Sequence, residues 1–301
     1  MIKPYKLIPA FKDVLWGGEE LKNIYGKEIS SKTTGESFEA SVVPGFISKT
    51  EEGDFSELIK NPDMTGEGGF NLLFKLIDAR EKLSVQVHPD DEMAKILGAE
   101  RGKTECWYVI SAKEGAFLYL GFKEGVTDDK FKESCYEGGT EELLCKVPVK
   151  KGDFFFVSAK TVHAIGEGIV IAELQQSCDT TYRVYDYERR DKEGNLREIH
   201  RKEAIACTEV APYKGLCREK LSENRERLAK CEYFDIVKVK GTKEDEETKG
   251  KYILLFFEEG SADINYNGGT VKAKAGDTFF IPATLGAFTV EGDFTYLQMT
   301  E

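Results

Sequence analysis

The sequence predicts a mainly β fold built from barrels or sandwiches of short strands, with a few short helices. Apolar runs recur along the 301 residues and are separated by glycine-bearing breaks; two of them cover residues 154–157 and 252–257. The 29 glycines stand singly or in pairs, as expected where many turns join short strands. Hydrophobic residues make up 41% of the chain, which is enough for a sizeable core.

An internal repeat indicates two related barrels. A Gly-Asp pair precedes an aromatic run at Gly152 and again at Gly276, 124 residues later. At the same offset, His163 of the first copy corresponds to Ala287 of the second. We therefore expect one barrel that keeps a histidine and one that has lost it, although Gly-Asp turns are common enough for a chance match.

Polar segments divide the rest of the chain. A proline- and glycine-containing polar stretch near residues 210–230 predicts a boundary, so we divide the chain into residues 1–215 and residues 216–301. The highly charged residues 241–250 are predicted to form a solvated hairpin loop. Helices are predicted over residues 55–60, 89–97, 128–135 and 198–207.

The most informative motif is a polar row that begins at Ser84. Successive side chains of a strand point to opposite faces, so Ser84, Gln86 and His88 share one face while the valines between them share the other. By the same rule Lys103 and Glu105 share a face. Amide, imidazole, ammonium and carboxylate groups backed by valines predict a buried polar site.

His163 completes a candidate metal centre. Together with His88 and Glu105 it offers two imidazoles and a carboxylate, and Gln86 can add a carbonyl oxygen. This set suits Zn²⁺ with an open position, and it also suits non-haem Fe(II). A lone histidine is usually structural, but two of the three histidines in the chain fall in this pattern.

A third segment, residues 178–191, is dense in aromatic, acidic and basic side chains. Its Arg183 could bind a phosphate group or stabilise a developing oxyanion. A strand edge with salt-bridged charges would explain the same composition.

Charge and cysteine usage limit the classes of function. A net charge of −12 argues against a general surface for nucleic acid or anionic membranes, but it does not exclude a local basic pocket. No apolar run is long enough to span a bilayer, and the first residues lack a signal-peptide pattern. The seven cysteines are scattered and form no C-x-x-C pair, so we expect free thiols and a cytoplasmic protein.

These motifs together resemble the type I mannose-6-phosphate isomerases of the cupin superfamily, in their short bacterial form. The resemblance rests on Gln-x-His-Pro-x-Asp at Gln86, Gly-Lys-Thr-Glu-x-Trp-Tyr at Gly102, Thr-x-His at Thr161 and Asp-x-Thr-Tyr-Arg-x-Tyr-Asp at Asp179. The motifs occur in the right order between about residue 5 and residue 190. The repeat in the second half agrees with the family's C-terminal cupin barrel.

The resemblance implies a double cupin with one Zn²⁺ per chain, in which residues 1–215 form the catalytic domain. It implies an enzyme that interconverts mannose 6-phosphate and fructose 6-phosphate through a cis-enediol. The expected partner is a hexose phosphate, with no nucleic acid or membrane, and the chain is a monomer or homodimer. The residues implied are the metal ligands Gln86, His88, Glu105 and His163, the catalytic Arg183 and Asp179, and the phosphate-binding Ser84 and Lys103.

Two other functions stay open at this point. One is a non-catalytic sugar-phosphate-binding cupin. The other is an Fe(II) dioxygenase that uses His88, Glu105 and His163. The general base of an isomerase is also open, since Asp179, Glu173 and a zinc-bound water are all candidates.

Overall fold

The computed structural model describes residues 2–190, 193–216 and 218–301, and strands dominate its secondary structure. The helices of this part of the chain are short: α1 Glu20–Tyr25, α2 Phe55–Leu58, α3 Pro62–Thr65, α4 Asp91–Leu97, α5 Asp128–Glu137, α6 Thr140–Leu143 and α7 Arg201–Cys207. The strands up to the last helix are β1 Tyr5–Leu7, β2 Ala10–Gly18, β3 Thr34–Ala40, β4 Lys49–Thr50, β5 Gly53–Asp54, β6 Leu72–Ala79, β7 Val85–Val87, β8 Glu105–Ala112, β9 Phe117–Phe122, β10 Leu144–Pro148, β11 Phe154–Val157, β12 His163–Ile165, β13 Ile169–Gln176 and β14 Tyr182–Tyr185. The later strands are β15 Glu219–Lys220, β16 Arg225–Lys230, β17 Asp235–Glu247, β18 Ile253–Tyr266, β19 Gly269–Lys274, β20 Thr278–Ile281 and β21 Ala287–Thr300. The mainly β prediction is confirmed.

Two antiparallel sheets form the first barrel. One sheet has the strand order β11-β8-β13-β6-β3-β2, and the other has the order β10-β9-β12-β7-β14. The helices α5 and α6 lie in the connection between β9 and β10. This connection is longer than the corresponding one between β18 and β19 in the second barrel.

The second barrel is built on one long sheet. Its order is β1-β20-β18-β21-β17-β16-β15, and β19 pairs with β18 outside this path. The N-terminal strand β1 joins this sheet because Tyr5 pairs with Phe280. The predicted first domain, residues 1–215, therefore contributes one strand to the sheet formed by the second.

The internal repeat is confirmed at the level of single turns. Gly152 and Gly276 have φ angles of 85° and 87°, in the left-handed region that glycine tolerates. In each copy the aspartate that follows accepts a hydrogen bond from the amide three residues before it, at 2.9 Å in the first and 3.1 Å in the second. The strands β11 and β20 that follow keep the offset, and Ala287 opens β21 where His163 opens β12.

The predicted hairpin loop over residues 241–250 is wrong. The strand β17 continues through this charged stretch to Glu247, and the turn is confined to residues 249–250. Residues 243–247 pair in register with β21. Cross-strand side chains also meet there: Lys243 lies 2.6 Å from Glu291, and Thr289 donates to Asp245 at 2.9 Å. Pairing with a neighbouring strand therefore keeps this polar stretch in the sheet.

Two of the predicted helices begin later in the structure. Asp90 does not belong to α4 but caps it, because its Oδ1 accepts a hydrogen bond of 2.8 Å from the amide of Met93. The last helix begins at Arg201, three residues after the predicted start. In both cases the helix itself is confirmed.

Both faces of the six-stranded sheet are buried. Phe74 and Leu174 on one face pack with Phe256 of the second barrel in a shared apolar core. Ile77 and Trp107 on the other face fill the interior of the first barrel. Because burying a large apolar side chain contributes about 2 kcal/mol, the shared core ties the barrels together. The inward face is the one that carries the candidate site.

Six described cysteines are free thiols, as predicted, and Cys217 lies outside the described residues. None of the helices in the described ranges has the length and apolar character needed to cross a bilayer.

Candidate active site

One row of paired residues crosses the five-stranded sheet. Gln86 on β7 pairs with His163 on β12 and, on its other side, with Arg183 on β14. The neighbouring Val85 and Val87 are completely buried on the opposite face. The alternation that the sequence predicts is therefore present, and sheet register brings an amide, an imidazole and a guanidinium onto the same inward face.

The opposing sheet supplies the carboxylate of the cluster. Glu105 is the first residue of β8 and pairs with Val157 of β11. Its carboxylate meets His88 and His163 so closely that one ligand atom from each of the three residues lies within 4.8 Å of the others. All three side chains are buried. The cluster is thus closed between the two sheets of the first barrel.

Backbone carbonyls orient both imidazoles. The Nδ1 atom of His88 lies 2.9 Å from the carbonyl oxygen of Thr180, and Nδ1 of His163 lies 2.9 Å from that of Thr161. Each Nδ1 therefore donates its hydrogen, which leaves Nε2 as the unprotonated nitrogen that faces Glu105. Nε2 of His88 also lies 3.2 Å from the Lys103 ammonium. Burial holds the pKa of His88 well below its ordinary value and lowers that of His163 to about 4. The neutral imidazole is the form in which histidine can bind a metal ion.

The carboxylate of Glu105 has unused acceptor capacity. Its Oε1 lies 3.3 Å from Nε2 of His163, and its Oε2 lies 3.7 Å from Nε2 of His88. Among the described residues Oε1 has no hydrogen-bond donor, whereas Oε2 forms an ion pair with the Lys103 ammonium at 2.8 Å. A buried carboxylate with one unpaired oxygen, facing two neutral imidazole nitrogens, fits a bound metal ion. Gln86 stands beside this group, with its amide nitrogen 3.3 Å from Nε2 of His163.

A cavity of about 330 Å³, which we call the central cavity, opens beside this cluster. Two of its wall residues touch the cluster: Gln86 contacts His163, and Lys103 contacts Glu105. The polar residues of the wall include Ser84, Gln86, Lys103, Glu173, Asp179 and Arg183. The structure thus brings together all eight predicted site residues, and their individual roles stay predictions.

A charge network around the buried Lys75 lines the central cavity and was not predicted from the sequence. Lys75 is 2% exposed and lies 3.3 Å from both Glu36 and Asp179. Burial opposes ionisation of Asp179, but the ammonium groups of Lys75, Lys12 and Lys103 outweigh it and lower the pKa of this carboxyl. The signal for Lys75 was its place in a strand whose other residues, apart from Asp78, are apolar, since lysines are buried only when they are paired.

Glu173 differs from Asp179 in its environment. It is 4% exposed, and its Oε2 accepts a hydrogen bond of 3.0 Å from the indole of Trp107. Burial, reinforced by the negative charge of Glu105, raises the pKa of Glu173 above its ordinary value. The two carboxylates of the central cavity are therefore shifted in opposite directions.

Arg183 presents a partly unused guanidinium to the central cavity. Its Nη1 donates to the carbonyl oxygen of Glu198 at 2.8 Å, while its buried Nε has no partner among the described residues. Burial and the neighbouring Arg197 lower its pKa, though an arginine stays charged at neutral pH. Arg197 also lines the central cavity, so the wall near Arg183 carries two positive charges.

The fold and the site define a double cupin with a buried His-Glu-His centre in its first barrel. Two family models match the chain: "Phosphomannose isomerase type I, catalytic domain" over residues 5–108 and "Mannose-6-phosphate isomerase, cupin domain" over residues 224–299. The mannose-6-phosphate isomerase of Streptococcus mutans is 35% identical, over 97% of this chain and 96% of its own. ManA, a mannose-6-phosphate isomerase of Bacillus subtilis, is 37% identical over 96% of each chain. The chain belongs to the type I mannose-6-phosphate isomerase family, and it is an enzyme.

Solved structures agree with this assignment. The mannose 6-phosphate isomerase from Bacillus subtilis matches with a TM-score of 0.91 and 32% identity, over 98% of this chain and 99% of that one. The apo mannose 6-phosphate isomerase from Salmonella typhimurium matches with a TM-score of 0.81 at 17% identity, over 100% of both chains. This second likeness concerns the fold alone.

Proposed function

We propose that this enzyme interconverts mannose 6-phosphate and fructose 6-phosphate through a cis-enediol, with one Zn²⁺ per chain. The observation that carries the proposal is the central cavity. It places the cluster of His88, Glu105 and His163 beside a wall with several cationic side chains. The free thiols of the described cysteines support a cytoplasmic site of action.

The residues that would hold the zinc ion are His88, Glu105 and His163, with the amide oxygen of Gln86 as a fourth ligand. Two imidazole nitrogens and a carboxylate match the ligand preference of catalytic zinc. When bound there, the ion would supply a Lewis acid that stabilises negative charge on the oxygens at C1 and C2.

Ser84 and Lys103 would bind the phosphate group. The substrate is a dianion and the chain has a net charge of −12, so a local cationic pocket is needed for binding. The phosphate is carried on C6 and takes no part in the reaction, so contacts to it contribute orientation to the reacting carbons.

The reaction requires one proton to move between two carbons. A base removes the hydrogen of C2 as a proton, the electron pair forms the C1–C2 double bond, and the C1 carbonyl oxygen gains a proton. Returning a proton to C1 while the C2 hydroxyl loses one gives the ketose. We assign the base to Asp179, whose ion pair with Lys75 keeps it ionised. Glu173, whose pKa is raised by burial, is the alternative.

Arg183 would stabilise the negative charge that develops on the enediol oxygens. Its planar guanidinium has donors to spare, because Nη1 alone is engaged with a backbone carbonyl and Nε has no partner among the described residues. Preorganised donors of this kind contribute most where water is excluded.

The proposal is tested by measuring conversion of mannose 6-phosphate to fructose 6-phosphate by the purified protein, with Lys103→Ala as the diagnostic variant. We expect a raised KM for mannose 6-phosphate in this variant, because it loses a phosphate contact that is made in ground and transition states alike. An unchanged KM would remove Lys103 from the phosphate site. Tight binding of mannose 6-phosphate without turnover by the wild type would identify a binding protein instead.

A further inference from the structure

Lys103 lies in a segment without regular secondary structure. Residues 98–104 connect α4 to β8, and Glu105 follows as the first residue of the strand. A segment outside the sheets depends on other contacts for its position, and here it must place an ammonium and a carboxylate within the site. The hydrogen bonds that hold residues 98–104 therefore control the geometry of the cluster.

Three successive amides at the end of this segment are held. The amide of Gly102 donates to Oδ1 of Asp91 at 2.7 Å. The amide of Lys103 donates to the carbonyl oxygen of Pro89 at 2.9 Å. The amide of Thr104 donates to Oε1 of Gln176 at 2.8 Å. The segment also presses against the start of α4, since a Cβ at Gly102 would lie 2.7 Å from the backbone nitrogen of Asp91.

Asp91 connects this segment to the second barrel. Its Oδ2 accepts a hydrogen bond of 2.9 Å from the hydroxyl of Tyr233, and its Oδ1 also lies 3.3 Å from the side-chain nitrogen of Gln176. Tyr233 belongs to the turn between β16 and β17, whereas Asp91 opens α4 in the first barrel. The carboxylate of Asp91 thus accepts hydrogen bonds from residues 98–104, from β13 and from the second barrel.

We propose that Tyr233 is a positioning residue for the active site. By fixing the carboxylate of Asp91, the second barrel holds residues 98–104 and so sets the positions of Lys103 and Glu105. The effect on catalysis rests on the proposed function of Lys103, whereas the effect on the segment does not. The second barrel, which has Ala287 in place of the histidine, thereby contributes to the reaction at the site in the first barrel. Hydrogen bonds to a charged acceptor are strong enough for this purpose.

The experiment compares Tyr233→Phe with Tyr296→Phe. Both substitutions remove one hydroxyl that donates to a carboxylate, but Tyr296 donates to Glu246 at 2.8 Å inside the second barrel. Amide hydrogen exchange is measured at residues 102–104, together with KM and kcat for mannose 6-phosphate. For Tyr233→Phe we expect exchange to become roughly tenfold faster or more. We expect KM to rise several-fold with a smaller change in kcat, and Tyr296→Phe should leave both readouts unchanged.

A double-mutant cycle tests the route through Asp91. In an Asp91→Ala background, Tyr233→Phe should have no further effect on exchange, because the acceptor is already gone. Unchanged exchange in Tyr233→Phe, or equal changes in Tyr296→Phe, would overturn the proposal. An inactive wild type would refute the proposed function alone, since the exchange comparison decides the positioning role without any activity.

Discussion

Replacing Lys103 by methionine should destabilise the metal-free enzyme far more than the zinc-loaded enzyme. The Nζ atom of Lys103 lies 2.8 Å from Oε2 of Glu105, and the residues are 4% and 0% exposed. At this distance the attraction is about 6 kcal/mol with an effective dielectric constant of about 20. Part of it offsets the cost of removing the ammonium from water, so we expect a net loss of about 3 kcal/mol on leaving Glu105 buried without its cation.

Zinc bound to Glu105 would supply the missing positive charge, so the loss should then fall below about 1 kcal/mol. Urea denaturation of chelated and zinc-loaded protein measures both values. Lys243→Met is the matched control, because its ion pair with Glu291 is exposed and contributes little. An equal loss of stability with and without zinc would refute the reasoning, since it would show that Glu105 does not exchange its lysine partner for a metal.

Three further predictions concern activity and pH. Arg183→Ala should lower kcat by roughly 100-fold or more with zinc still bound, and loss of zinc would indicate a structural role. Asp179→Asn should abolish exchange of the substrate's C2 hydrogen with D₂O; if Glu173→Gln abolishes it and Asp179→Asn does not, Glu173 is the base. Burial raises the pKa of Asp78 to about 6, from an ordinary value of 3.8. The unfolded chain releases this proton first, so the stability that the shift contributes is lost as pH rises from about 4 through 6. The urea midpoint of Asp78→Asn should therefore rise relative to that of the wild type as the pH increases over this range. A difference that stays constant with pH would exclude the raised pKa of Asp78.

The parts of the site that follow local alternation could be predicted from the sequence. Gln86 faces the site because the side-chain period of a strand is two. His88 and Lys103 lie just outside β7 and β8, so strand alternation predicted their position in the site but not the backbone that holds them there. The repeat at Gly152 and Gly276 was equally visible, because one turn type requires the same residues wherever it occurs. These features depend only on neighbours in the chain.

The missed features depend on pairing between distant segments. Lys75 meets Asp179 only through the fold, and nothing in its own strand predicts this partner. The charged stretch in β17 resembled a loop because its stabilising partners lie on β21. Tyr5 joins the second sheet for the same reason, since its partner Phe280 is more than 270 residues away.

The most direct measurement is the isomerisation of mannose 6-phosphate to fructose 6-phosphate before chelation, after chelation and after zinc is added back. A zinc-dependent isomerase built on His88, Glu105 and His163 loses its activity with the metal and regains it with zinc. A fully zinc-loaded protein that does not convert mannose 6-phosphate would contradict the proposed reaction. Activity that survives complete removal of metal would contradict the proposed role of the cluster.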